Sequence, residues 1–141
     1  MKKNNIHHFL YYWLPFLLWL LLIYSFSSHP TKATSDIYWE DFIIKKLAHI
    51  VEYAILTAFL YRALLSSGIR KKEAALTSIF FALVYGMTDE YHQSFIPGRE
   101  PRIRDIVFDT IGSLLAIFII WKLLPKAPPR LKTWAKNMEL I

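Results

Sequence analysis

The stretch FLYYWLPFLLWLLLIYSF, Phe9 to Phe26, carries no charged side chain and reaches roughly 27 Å as a helix at 1.5 Å per residue. That is enough to cross the hydrocarbon core of a bilayer, where a backbone must satisfy its polar groups internally. A secretory signal peptide would also be N-terminal and follow basic residues, here Lys2 and Lys3. No small-x-small cleavage pattern follows at a suitable distance, however, and the Tyr and Trp content is unusual for a signal core. The segment reads as a retained span, with Pro15 a kink of the kind packed membrane helices tolerate.

Three further spans are expected: FIIKKLAHIVEYAILTAFLYRALL from Phe42 to Leu65, AALTSIFFALVYGM from Ala74 to Met87, and IVFDTIGSLLAIFIIWKLL from Ile106 to Leu124. The second has a polar first half. The third is short and borrows the following TDEYH; the fourth holds one acid, Asp109, and ends at PKAPPR, where prolines stop a helix. The chain has 141 residues, 55% hydrophobic and 20% charged, and its apolar runs alternate with short charged connectors. A soluble domain would show amphipathic stripes instead. The expected fold is therefore all-α: a polytopic domain of four transmembrane helices over residues 1–126, then a basic cytoplasmic tail over 127–141. That tail reads either as an amphipathic segment on the inner leaflet or as disordered.

Orientation follows from lysine and arginine. Lys2 and Lys3, then Arg62, Arg70, Lys71 and Lys72, then Lys122, Lys126, Arg130, Lys132 and Lys136 all fall on one side of a four-span bundle. By the positive-inside bias that side is the cytoplasm, and both termini lie there. The net charge of +6 is thus a topology signal and an attraction to anionic lipid, with no nucleic-acid partner implied. No protein partner can be named from the sequence.

One outward connector breaks the bias. Arg99, Arg102 and Arg104 sit outside, which suggests partners for them among Asp89, Glu90 and Asp105. Helical spacing gathers more polar groups at the same end: Lys46, His49, Glu52 and Tyr53 in the second span, Asp89, Glu90, His92 and Gln93 in the third, Asp105, Asp109 and Gly112 in the fourth. Ionisable groups inside a membrane normally face the bundle interior or a wet cavity. A polar pocket opening toward the outer surface is expected.

The segments KLAHIVEYAIL (Lys46 to Leu56), DEYHQSFIPGREPRIRD (Asp89 to Asp105) and DTIGSLLA (Asp109 to Ala116), with SFSSHP after the first span, are similar to the signature segments of the VanZ-like membrane protein family, which is associated with teicoplanin resistance. The family's motif positions fall on Lys46, His49, Tyr53, Asp89, Glu90, His92, Gln93, Arg99, Asp105 and Gly112; Asp109 departs, since the family often carries an amide there. The resemblance implies a protein of the bacterial plasma membrane whose motif face is extracytoplasmic. It does not supply a molecular activity.

Two chemistries suit such a pocket. In a binding site, Lys46, Arg99, Arg102 and Arg104, with Tyr53, Gln93 and Asp109, would hold the phosphate or carboxylate of an anionic envelope lipid or cell-wall precursor. In an enzyme, a hydrolase or transferase, His49, Asp89, Glu90, His92 and Asp105 would be the catalytic groups. They would act as acid or base beside a carboxylate, or with Glu52 and Asp109 as ligands of a divalent metal such as zinc or manganese. The metal signal is weak, because His-Glu-x-x-His and Cys pairs are both absent. A structural alternative makes the charges a staple between the third and fourth helices, in a non-catalytic component that alters antibiotic access or assists a partner enzyme.

Overall fold

The computed structural model describes residues 5–30, 38–97, 99 and 101–141. Those residues form five helices, α1 (Asn5–Ser27), α2 (Tyr38–Ser66), α3 (Lys71–Gln93), α4 (Ile103–Lys126) and α5 (Pro129–Asn137), and no strand among them. The all-helical expectation holds. Two of the helices, α1 and α4, are long and apolar enough to cross a membrane. By contrast, α2 and α3 run longer than their apolar cores, because each continues into the polar segment at one end: YWED before Phe42, and TDEYHQ after Met87.

Burial is distributed inside out. Large apolar side chains face outward on every long helix: Leu17, Leu18 and Leu21 on α1, Ile43, Leu47 and Val51 on α2, Phe80, Val84 and Met87 on α3, Leu114, Leu115 and Phe118 on α4. Buried between the helices are Lys46, Thr57, Arg62, Ser78, Asp89, Glu90, Asp105, Asp109 and Ser113. A water-soluble bundle has the opposite arrangement.

The most extensive packing joins α2 to α4, with α3 against both and α1 laid over α2 and α3. Gly112 permits the α2–α4 approach: a Cβ there would collide with the backbone carbonyl of Ile50. Small residues at such a crossing let backbones come together. Trp19 Nε1 donates to Glu52 O (2.9 Å) and Tyr85 OH to Leu20 O (2.9 Å), fixing α1 on its neighbours. At the α2–α3 turn, Gly68 has φ of 86° and closes the helix end through Gly68 N–H to Leu65 O and Ile69 N–H to Leu64 O.

Proline shapes one end of the bundle. Pro15 and Pro125 each follow a π-helical turn, Phe9–Trp13 and Ile119–Leu123, and a proline has no N–H to give the carbonyl four residues earlier. For Pro15 that carbonyl is Tyr11 O, and Arg62 Nη1 donates to it at 3.0 Å. Arg62, counted above among the cations of the cytoplasmic side, is buried, with its guanidinium 4.3 Å from the Tyr11 ring centroid, 4.7 Å from that of Tyr12, and its Nε on Met138 O at 2.7 Å. Tyr12 OH donates to Glu139 at 2.5 Å. These bonds draw α5 back onto the bundle, where Ala135 and Leu140 join Tyr61, Ala74, Ile117, Ile120 and Leu124 in an apolar core. His8 is helical and pairs its Nε2 with Ser66 O at 3.1 Å.

Candidate functional site

At the opposite end, where α2 begins, α3 ends and α4 begins, lies a cavity of about 780 Å³. Its walls include Lys46, His49, Asp89, Gln93, Arg99 and Asp105, six of the residues expected to form a site. Helical spacing read from the sequence brings five of them together at the polar ends of their helices, and Arg99 joins them from the connector after α3.

The walls are joined by cross-helix pairs. Lys46 of α2 forms an ion pair with Asp105 of α4, both buried, and its ammonium lies 5.5 Å from the Phe42 ring centroid and 5.9 Å from that of Phe108. One turn on, His49 Nδ1 meets Asp109 Oδ1 at 2.8 Å. Asp109 is 1% exposed and does not line the cavity; it stands behind the histidine. A carboxylate on one ring nitrogen fixes the orientation of an imidazole and leaves the other nitrogen for a ligand.

Room for that carboxylate comes from Gly86 on α3. A Cβ at this position would lie 3.0 Å from Asp109 Oδ2 and 3.5 Å from the Tyr53 ring. Asp109 Oδ2 and Tyr53 OH are both buried without a hydrogen-bond partner among the described residues. Tyr53 therefore forms part of the site's floor and is not a wall of the cavity.

Arg99 is a clamp. Its guanidinium donates to Phe26 O (2.7 Å), His29 O (3.1 Å) and Gln93 Oε1 (3.3 Å), tying the connector after α3 to the end of α1. Gln93 in turn donates to Asp89 Oδ2 at 2.9 Å. Residues 98 and 100 of this connector lie outside the described residues, as do residues 31–37 between α1 and α2.

Besides Asp109 and Tyr53, three further expected site residues do not line the cavity. Glu90 accepts from the backbone N–H of Arg102 (2.6 Å), capping the entry to α4. His92 Nε2 pairs with Ser28 Oγ at 3.1 Å, its ring 4.8 Å from that of Tyr24. Arg104 is exposed and lies 5.2 Å from the Phe42 ring centroid. Among the described residues, no three His, Cys, Asp or Glu side chains are grouped so as to hold a metal ion.

The cavity also contains Asp41 and Lys45, which were not expected in the site; they pair at 2.7 Å, and the expected Glu52 and Arg102 line it with them. Asp41, Lys45, His49 and Glu52 recur at intervals of three and four, so the polar stripe of α2 extends one turn further back than the segment read from Phe42.

A family model described as VanZ/LLP1 matches residues 2–125. No curated protein sequence and no solved structure matches the chain.

Proposed function

The chain belongs to the VanZ/LLP1 family, and from that premise we propose that it is a multi-pass protein of the bacterial plasma membrane whose polar cavity binds or processes a phosphorylated envelope lipid or cell-wall precursor. In this reading α1 to α4 are four spans, both termini are cytoplasmic and the cavity opens to the extracytoplasmic side. Two apolar helices and the inside-out burial of all four long helices support the membrane setting. The link to teicoplanin resistance rests on the family resemblance alone.

The observation that carries the functional reading is the His49–Asp109 pair at the wall of a cavity of about 780 Å³. A buried carboxylate holding a cavity-lining imidazole is the arrangement a proton-transferring histidine requires. His49 would move the proton and Asp109 would orient it. The cavity lining carries the cations Lys45, Lys46, Arg99 and Arg102 and the acids Asp41, Glu52, Asp89 and Asp105. With the signs balanced, recognition of a phosphate would depend on placed donors more than on bulk positive charge.

A second reading, the non-catalytic component, is favoured by a specific observation. Lys46–Asp105 joins α2 to α4, and Arg99 ties two connectors through backbone carbonyls, which is the work of a staple.

Native mass spectrometry separates them, with a polyprenyl phosphate and the uncharged polyprenol offered to detergent-purified protein. Wild type is expected to retain the phosphate ester and not the alcohol, and a folded His49→Ala variant is expected to retain it less or fail to turn it over. Retention of neither lipid, with His49→Ala changing only the melting temperature, would support the staple.

A further inference from the structure

The other end of the bundle has a cavity of its own, about 520 Å³ in volume, which the polar site does not use. Its lining includes Lys71 and Lys72 at the start of α3, Trp121 and Lys122 near the end of α4, Tyr61 of α2 and Leu140 after α5. The first cavity lies beside Asp89 and Asp105, at the far ends of α3 and α4. A helix the length of α3 spans roughly 34 Å at 1.5 Å per residue, so the two sites are separated by the thickness of the bundle.

We propose that this second cavity binds the phosphate headgroup of an anionic phospholipid from the leaflet it faces, with the acyl chains running along α4. Lys71, Lys72 and Lys122 line it, all three exposed, and no side-chain carboxylate among the described residues forms an ion pair with them. The two acids at this end are engaged elsewhere: Glu73 pairs with Arg70, and Glu139 accepts from Tyr12. Three exposed lysines without an acidic side-chain partner, beside a mostly apolar concavity, suit an anionic headgroup with apolar chains.

The rest of the lining specifies a lipid over a free phosphate. Ile120, Trp121, Pro125 and Leu140 form an apolar wall continuous with the exposed Phe118, Ile119 and Leu123 of α4. Trp121 Nε1 donates to Tyr61 OH at 3.0 Å. That bond holds the half-exposed indole of Trp121 against the buried Tyr61, at the edge of the apolar core. A soluble anion would gain nothing from the apolar wall, whereas a diacyl lipid uses both halves of the site.

The test is native mass spectrometry of the full chain in detergent, titrated separately with phosphatidylglycerol and phosphatidylcholine. Wild type is expected to retain phosphatidylglycerol preferentially, and the triple variant Lys71→Gln, Lys72→Gln, Lys122→Gln to bind it at least about tenfold more weakly, with phosphatidylcholine unchanged. A charge-matched control, Arg130→Gln, Lys132→Gln, Lys136→Gln, removes three cations outside the lining and is expected to bind like wild type. Equal losses in both variants would mean diffuse attraction and overturn the site, as would no loss in the first. Displacement of phosphatidylglycerol by millimolar inorganic phosphate would overturn the lipid assignment. Because none of the six side chains belongs to either apolar core, melting temperatures near that of wild type are expected, and binding is scored only on protein that meets this criterion.

Discussion

Lys46 and Asp105 meet with a tenth of each side chain exposed, so each depends on the other for its charge to be tolerated. Lys46→Met is expected to destabilise the bundle by about 3 kcal/mol, since it leaves Asp105 buried and unpaired. Adding Asp105→Leu should return a good part of that loss, because a hydrophobic pair incurs no desolvation; thermal unfolding in detergent measures both. A double variant no more stable than Lys46→Met would show that Asp105 does more than neutralise the lysine. Gly86→Ala tests the floor of the site: its methyl would press on Asp109 Oδ2 and the Tyr53 ring, displacing the carboxylate from His49. Function is expected to fall more than stability does, and a full-function variant would contradict the role given to Asp109. At this scale much of the cavity was legible, because Lys46, His49, Asp89 and Asp105 announce themselves as charges at helical spacing. The partners of Arg99 were not, since they are backbone carbonyls of residues 26 and 29, and a carbonyl leaves no mark in a sequence. The burial of Arg62 was hidden for the same reason: its bond partners are Tyr11 O and Met138 O.

Among elements, the crossing of α2 and α4 carries the site, since it places both Lys46 beside Asp105 and His49 beside Asp109. Gly112→Ala forces the helices apart at Ile50 O, and backbone cannot rotate away as a side chain can. A loss of about 1–3 kcal/mol is expected, with weaker retention of any cavity ligand; an unchanged melting temperature would mean the crossing is looser than described. The element α5 tests a different link. Arg62→Met removes the guanidinium donors to Met138 O and Tyr11 O, each worth on the order of 1.5–3 kcal/mol for a charged donor. Tryptic cleavage after Arg130, Lys132 and Lys136 is expected to quicken by about tenfold. Unchanged cleavage would leave Ala135 and Leu140 as the whole anchor. Hydropathy made the helices themselves legible but not their ends, because α2 and α3 continue past the apolar stretch wherever polar side chains turn inward. The docking of α5 was hidden too: in PRLKTWAKN the buried residue is a single alanine, and composition describes only its basic face.

The whole molecule is a bundle with two chemically different ends: charged pairs around a cavity at one, lysines and aromatic side chains at the other. The lysine and arginine bias made this polarity readable in advance, whereas the cavity volumes and the cross-helix pairs required tertiary packing. The chain has no cysteine, so a single introduced thiol reports its own position. The measurement that tests the account most directly is labelling of intact cells with a membrane-impermeant maleimide, comparing Ala48→Cys in the polar cavity with Ser67→Cys at the opposite turn. Both native residues are exposed. The account expects Ala48→Cys to label from outside and Ser67→Cys to label only after the membrane is opened; the reverse pattern, or labelling of both in sealed cells, would contradict an outward-facing site.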